Sequence, residues 1–368
     1  MSASPASAEA IATKIRKFPC EGCGADLRWE PGVTALKCPW CGTMKTVAAP
    51  SGRVDEKPVE AALRAPRDLG WGAERKVIAC KRCGAHTTLE PHVAATSCAF
   101  CGTSSVVEAP ANANVVRPEG LLPFRVSQEN ALQLFRGWLS GLWLRPNDLK
   151  RAARTTGIQG VYIPFWTFDA ATFSRWQAEA GYYYYVTVQV QENGRTVSKQ
   201  QQRIRWEDAS GTLQLFFDDV AVPASRGIDP WLSQRIEPFP TAELTPYDPQ
   251  YLSGFLAEEN AVDLPEALES AKNRMRGDIE RACANEVPGD THRNLEVQTT
   301  FSAVAYKNCL LPIWIAAYDY HGKPYRYLVN GVTGKCDGTA PWSWVKITIL
   351  FLTIATILMI VMYVSEST

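Results

Sequence analysis

The chain has 368 residues, with 38 basic and 38 acidic side chains, so its formal net charge is zero. This balance excludes an overall field that draws the protein to nucleic acid or to anionic lipid. The length allows two or three folding units, since a domain takes roughly 100 to 200 residues. Nearly all of the 12 tryptophans and 13 tyrosines follow residue 120. We therefore expect an aromatic-rich core in that later part.

The N-terminal segment 1–17 is small and polar, without the apolar stretch of a secretory signal peptide. We predict that it is disordered.

Eight of the 11 cysteines form four C-x-x-C pairs, and fourteen residues separate the two pairs in each half. The pairs are Cys20 and Cys23, Cys38 and Cys41, Cys80 and Cys83, Cys98 and Cys101. A C-x-x-C on a tight turn points two sulfurs at one centre, and two such turns supply the four thiolates that zinc favours. The spacing predicts two structural Zn²⁺ ions with these eight cysteines as ligands.

The two halves are copies of each other at an offset of sixty residues, with fifteen identical positions in 33. Besides the cysteines they share a glycine after each pair, where a chain turning round a metal needs positive φ. These are Gly24, Gly42, Gly84 and Gly102. Short strands around turns at Glu30-Pro31 and Glu90-Pro91 complete the pattern. It predicts zinc ribbons over 18–50 and 77–110, with linkers over 51–76 and 111–120.

Other uses of the cysteines fit less well. A disulfide framework conflicts with the leftover Cys283, Cys309 and Cys336. It also conflicts with the reducing cytoplasm, the side of the membrane that Lys335 and Lys346 before the C-terminal apolar stretch predict for these cysteines. A redox motif needs a reactive thiol at a helix start, and none of the pairs opens an obvious helix. Iron uses the same four thiolates and stays open.

Nucleic-acid binding by the ribbons is not favoured, because their charge is small. With two negative charges added per metal centre, the two units come near +1 and −1. A phosphate-binding surface is expected to carry a concentrated basic face. The one candidate for such a face is the basic cluster just before the first ribbon, formed by Lys14, Arg16 and Lys17.

Residues 121–340 predict an α+β domain. Ser127 opens a helix to about Leu142, and Asp263 precedes an amphipathic helix, Leu264 to about Ala284. Asn193-Gly194 between alternating runs is typical of a β-hairpin. The predicted strands are Tyr182–Gln191, Thr196–Trp206, Leu295–Tyr306, Leu310–Tyr320 and Tyr325–Val329.

No catalytic motif is recognised in this domain, so we expect a protein that is not an enzyme. Gly331–Cys336 lacks the spacing of a phosphate-binding P-loop, and no H-E-x-x-H occurs. The acidic pairs Asp218-Asp219 and Glu258-Glu259 are expected to be solvated. An enzyme with an unrecognised site in 118–340 would need a deep polar pocket with perturbed carboxylates.

The C-terminal stretch Ile347–Val364 has eighteen residues without a charge, which predicts a transmembrane helix over 345–364. A buried core helix is the alternative, but a globular helix normally shows a polar stripe and this one has none. Lys335 and Lys346 precede it and only Glu366 follows, so the N-terminal bulk should face the cytoplasm. The arrangement is that of a tail-anchored, single-pass protein of the cytoplasmic membrane.

Three long strings, together with the cysteine pairs, resemble a bacterial family of membrane-anchored zinc-ribbon proteins. The strings are Tyr162–Ala170, Pro238–Phe255 and Leu310–Gly334. Members are often labelled TFIIB-type zinc-ribbon proteins or, misleadingly, primosomal or helicase-like. The helicase label does not fit this chain, which has no nucleotide-binding motif.

The resemblance implies an adaptor role beside SPFH-domain and phage-shock-like membrane-stress proteins, and it implies no catalytic residues. We therefore expect a non-enzymatic scaffold that binds a protein partner at the bilayer. A membrane-tethered nucleic-acid binder is the first alternative, and an enzyme is the second.

Overall fold

A computed structural model describes residues 18–48, 50, 52–64, 76–89, 98–101, 106–109, 116–149, 157–192, 195–321 and 323–366. The expected disordered segment 1–17 and the turns at Glu90-Pro91 and Asn193-Gly194 lie outside these ranges.

Fifteen strands lie within the described residues. They are β1 (Arg28–Glu30), β2 (Ala35–Lys37), β3 (Met44–Thr46), β4 (Lys57–Pro58), β5 (Lys76–Cys80), β6 (His86–Leu89), β7 (Val106–Ala109), β8 (Gly120–Leu121), β9 (Ile158–Glu192), β10 (Arg195–Pro223), β11 (Thr245–Pro246), β12 (Leu256–Glu258), β13 (Thr291–Tyr320), β14 (Lys323–Asn330) and β15 (Cys336–Gly338).

The helices in the same part of the chain are fewer. They are α1 (Val59–Arg64), α2 (Gln128–Gly141), α3 (Pro230–Arg235), α4 (Leu264–Glu286) and α5 (Trp344–Glu366).

Three long strands dominate the molecule, which makes the domain sheet-rich. β9 has 35 residues and pairs antiparallel with β10 on one side and with β13 on the other. Even-numbered residues of β9 from Trp166 to Ala180 are buried on one face. Helix α4 covers that face, and its Met275, Ile279 and Cys283 lie in one apolar cluster with Trp176. The apolar residues at every second position of β9 thus pack against the apolar side of helix α4.

The two predicted helices are present with the expected N-terminal caps. The Ser127 hydroxyl accepts from the backbone N–H of Asn130, and the Asp263 carboxylate accepts from that of Glu266. Each cap satisfies a backbone donor that the first helical turn leaves without a partner.

The predicted strands are shorter than the observed ones. Leu295–Tyr306 and Leu310–Tyr320 are parts of one strand, β13, which bulges between Ser302 and Ala305 and continues. At the bulge Ala303 has a φ of 50°. A β-bulge bends a strand without ending it, so a local break in alternation does not mark a strand end.

Part of the expected linker 51–76 belongs to the folded body. Lys57 and Pro58 pair with Tyr306 and Ala305 of β13, and Val59 at the start of α1 is buried. A strand of two residues is too short to produce a hydrophobic pattern, so the mixed composition of this segment did not predict it.

Helix α5 stands apart from the core. Residues Trp344–Ser365 have a mean hydropathy of 2.6 and none of the apolar window is buried inside the protein. Its first turn is tied to the domain, because the Lys346 ammonium donates to the backbone oxygens of Trp143 and Arg145 at 2.9 and 2.7 Å. One described helix is therefore long and apolar enough to cross a membrane.

Candidate metal centres

The eight predicted ligands form two groups of four sulfurs, as expected from the sequence. In each group all four Sγ atoms lie within 4.8 Å of one another. Cys20 and Cys41 sulfurs are 3.4 Å apart, and Cys83 and Cys98 sulfurs are 3.7 Å apart. A tetrahedral ion with metal–sulfur bonds of about 2.3 Å separates its ligands by about 3.8 Å. The geometry of both groups therefore fits one metal ion each.

Tight turns position the sulfurs in the same way in both copies. The Gly24 N–H donates to the Cys20 carbonyl at 2.8 Å, and the Gly84 N–H donates to the Cys80 carbonyl at 2.9 Å. Both glycines have a φ of 73°, a conformation that costs glycine nothing. Gly102 lies outside the described residues. The repeated glycines are thus explained by the turns that carry the first cysteine of each group.

Hydrogen bonds favour the metal-binding thiolate form at two of the sulfurs. The Thr43 hydroxyl, 3.1 Å from the Cys41 sulfur, lowers the pKa of that thiol to about 6. In the second group the Cys83 thiol lowers the pKa of Cys98 to about 5, while the same hydrogen bond raises the pKa of Cys83, so only Cys98 is favoured as the thiolate. A thiolate, and not a thiol, is the species that ligates zinc or iron.

The first cysteine unit (residues 18–50) has a sheet of its own, β1–β2–β3. It contacts the domain through Trp29, whose indole N–H donates to the Phe124 carbonyl at 3.1 Å. The Trp29 ring lies 4.6 Å from that of Tyr251. This contact uses Pro238–Phe255, one of the three strings that carry the family resemblance, and so gives that string a structural role.

The second cysteine unit (residues 77–110) is part of the large sheet. Its strand β6 pairs with β12, Thr88 opposite Ala257, and β12 continues the ladder to β9. The Thr88 hydroxyl donates to the Ala257 carbonyl at 2.8 Å. The two copies therefore have similar sulfur geometry but different attachment.

The aromatic residue between the last two ligands shows the difference most clearly. Trp40 in the first unit is 83% exposed, whereas Phe100 at the equivalent position of the second is fully buried. Phe100 packs in a cluster with Ile228 and Leu232, and its ring leaves no room for a side chain at Gly227. The domain thus provides an apolar socket for Phe100, and Trp40 projects into solvent.

The remaining cysteines belong to neither group of four sulfurs. Cys283 and Cys309 are buried, and burial raises the pKa of the Cys309 thiol. A buried neutral thiol behaves as a small apolar side chain.

The pair Glu258-Glu259 differs from the expectation that the acidic pairs are solvated, whereas Asp218 of the other pair is exposed. Glu258 is fully buried and Glu259 is 4% exposed, because β12 inserts between two strands of the sheet. Burial raises the pKa of Glu258 to about 8. The pairing of β12 with β6 on one side and β9 on the other, both distant in the chain, explains this placement.

A second buried group of charges surrounds Lys307. The Lys307 ammonium lies 2.7 Å from Asp219 and 3.3 Å from Glu56, and Asp169 accepts from the Asp219 N–H at 2.6 Å. Burial raises the pKa of Asp169 to about 7. The group sits at the β10 bulge between Phe217 and Val220.

These perturbed carboxylates do not open into the described surface hollow. That hollow, of about 470 Å³, is lined by Glu179, Asp208 and Glu296 among others and lies farther along the strands. In a catalytic pocket, carboxylates with perturbed pKa values line the hollow itself.

Part of the chain is similar to a curated bacterial protein. The chain is 28% identical to the uncharacterized protein YdjG of Bacillus subtilis (strain 168) over 239 residues, which cover 65% of this chain and 68% of YdjG. No family model and no solved structure matches the chain.

Proposed function

We propose that the protein is a non-enzymatic adaptor, in which two zinc ribbons and the sheet-rich domain bind a protein partner at the cytoplasmic membrane. Helix α5 anchors it there as a single-pass, tail-anchored protein with the bulk in the cytoplasm. The family resemblance favours an SPFH-type or phage-shock-like membrane protein as the partner.

The observation that carries this proposal is the exposure of Trp40. Its counterpart Phe100 is buried in a socket built from Gly227, Ile228 and Leu232. In the second cysteine unit, the aromatic residue between the last two cysteines thus packs on an apolar surface of the domain. Exposed tryptophans are frequent anchors of protein interfaces, because they bury a large area on binding. A partner that offers Trp40 a comparable socket would hold the first unit as the domain holds the second.

Zinc is the proposed metal, with a structural role at both centres. Four thiolates complete a closed tetrahedral site, which leaves no position for a water or a substrate. The first unit, which has only its own three-stranded sheet, is too small to be stable without a cross-link of this kind.

Affinity purification of the full chain from mild detergent tests the adaptor role. Trp40→Ala is compared with Trp231→Ala, which removes another exposed tryptophan, on α3, 54% exposed. We expect proteins that are retained by Trp231→Ala and lost by Trp40→Ala, and the purified candidate should then bind the purified chain directly.

Two results would reject the proposal. One is equal recovery of every protein by wild type and Trp40→Ala. The other is loss of nucleic acid, instead of protein, from the Trp40→Ala sample, which would favour a membrane-tethered nucleic-acid binder.

A further inference from the structure

The end of the β9–β10 hairpin extends beyond the rest of the sheet. The third strand, β13, reaches β9 only as far as Gly181, where Thr291 pairs with it. Gly289 and Asp290 contact Gly181, and the Asp290 N–H donates to its carbonyl at 2.8 Å. From Tyr182 onward, eleven residue pairs join β9 and β10 alone in the described part of the chain. We call this two-stranded ribbon the arm.

The two faces of the arm differ in charge. The cross-strand register places even-numbered residues 182–190 and odd-numbered residues 197–205 on one side, which we call the arm face. From Tyr182 to Val190 and from Val197 to Arg205 the arm face carries Lys199, Arg203 and Arg205 and no acidic residue; the last pair on the same side, Glu192 and Arg195, has opposite charges. The opposite side, odd-numbered 183–191 and even-numbered 196–204, has no charged side chain.

The arm face also has an apolar stripe. Val186, Val188 and Val190 are half-buried along its centre, and Val197 is 40% exposed. Arg205 lies over the ring of Tyr182 at 5.6 Å and pairs with Glu207 just below the arm. The cations therefore border valines and tyrosines.

This face continues the surface that helix α4 covers. Even-numbered residues of β9 before Gly181, including Trp176 and Ala178, share an apolar cluster with Ile279 and Cys283 of α4. α4 ends at Glu286, at the level where β13 begins. Beyond that point the same strand presents its even-numbered side chains without a helix over them in the described residues.

We propose that the arm face docks an acidic amphipathic helix of a protein partner. Continuity with the α4 interface indicates a helix, because the sheet already packs one on this face. Charge complementarity indicates acidic flanks, since the cations border the valine stripe. Eleven residue pairs extend about 37 Å, which matches a helix of about 25 residues.

Other ligands fit this face less well. Two copies of the chain would bring like charges together on equivalent faces, which is unfavourable. Nucleic acid would place phosphates against the valines, which offer no hydrogen bond.

The inference rests on the proposed adaptor role, and a synthetic probe tests it. The probe is a helical peptide of about 25 residues with a leucine stripe and flanking glutamates, added to the full chain in zwitterionic nanodiscs with empty nanodiscs subtracted. A second peptide carries lysines in place of the glutamates.

The double variant Lys199→Gln, Arg203→Gln should weaken binding of the acidic peptide at least about tenfold, because it removes two positive charges beside the stripe. Gln200→Glu with Gln202→Glu is the matched control, since it adds two acids on the opposite side; we expect its Kd to change less than about twofold. Val188→Thr should weaken binding without changing charge. Equal melting temperatures would show that all variants are folded.

Several outcomes would overturn the proposal. Equal weakening by both double variants would mean a general charge effect, and equal binding of the lysine peptide would exclude acid recognition. Binding of phosphatidylglycerol vesicles or a short single-stranded RNA in place of the peptide would assign the face to lipid or nucleic acid. Arm-dependent self-association would assign it to a second copy. If the peptide fails while Trp40-dependent capture persists, the arm inference is wrong and the adaptor role stands.

Discussion

Gly289 and Gly277 differ in the space around them: Gly289 lies three residues beyond the end of α4, and Gly277 lies within the helix. At Gly289 φ is +94°, and a Cβ would lie 2.8 Å from the backbone oxygen of Gly181. At Gly277, inside α4, a Cβ would have no neighbouring atom within 4 Å. The first glycine is required by a close backbone approach, and the second is not.

We expect Gly289→Ala to destabilise the protein by about 1–3 kcal/mol, because alanine is strained at positive φ and would displace β9. Gly277→Ala should stabilise it by about 0.5–1 kcal/mol through helix propensity. Thermal unfolding in detergent, followed by tryptophan fluorescence, measures both. A shift in the same direction for the two variants would contradict the difference in packing.

The buried carboxyl of Asp169 makes stability depend on pH. Its pKa is raised from 3.8 to about 7 by burial, with the nearby charges of Asp219 and Glu56 adding to the effect. The folded protein therefore holds a proton that the unfolded chain has released between about pH 4 and 7. The stability that this group contributes is fully present below about pH 4 and is lost as the pH rises to about 7.

Asp169→Asn should remove this contribution to the pH dependence. Between about pH 5 and 8 the melting temperature of the wild type should fall relative to the variant, by about a few degrees. Asp218→Asn, which changes an exposed acid in the same bulge, serves as the control and should follow the wild type. Parallel pH profiles for wild type and Asp169→Asn would show that Asp169 does not carry the effect.

At the scale of elements, the two cysteine units should respond differently to metal loss. Cys41 is exposed in a unit with its own small sheet, whereas Cys101 is buried beside Phe100 in a unit that continues the large sheet. Cys41→Ser and Cys101→Ser should each reduce bound zinc from two ions per chain to one. Removing a structural zinc removes about 10 kcal/mol or more of binding energy that folding depends on.

Hydrogen exchange should separate the two variants. Cys41→Ser should lose protection in the first unit alone, and Cys101→Ser should also lose it in β12 and the paired part of β9. Cys336→Ser, outside both groups, should keep two zinc ions. Identical exchange patterns in the two ligand variants would contradict the different attachments.

The sequence predicts elements well where local chemistry determines them. The caps at Ser127 and Asp263, and the spacing of the eight cysteines, each depend on residues a few positions apart, and the structure has the helices and the sulfur groups there. The length of β13 and the burial of Glu258 depend on distant strands. A single sequence contains no local signal for such contacts, so these features were missed.

At the scale of the whole molecule, the attachment of helix α5 limits how far the domain stands from a bilayer. The Lys346 ammonium donates to two carbonyls and to Asn147, and Arg145 lies 3.5 Å from the centre of the Trp342 ring. Residues 143–149 and the first helical turn thus form one bonded unit. If α5 spans the membrane, this unit lies at the interface, where tryptophan and arginine are both stable.

The orientation then follows from charge and can be measured. Lys335 and Lys346 precede the span, and Glu366 is the one charged residue among 365–368, so the positive-inside rule predicts that Thr368 lies across the membrane from the cysteine units. Alkaline phosphatase fused after Thr368 should be active, and the same reporter fused before Met1 should be inactive.

Insertion of three lysines after Thr368 should lower the activity of the C-terminal fusion, because the added charges oppose translocation. Insertion of three serines at the same place should not. An active N-terminal fusion would reverse the orientation, and a chain that stays in the soluble fraction would remove the membrane anchor from the proposed adaptor.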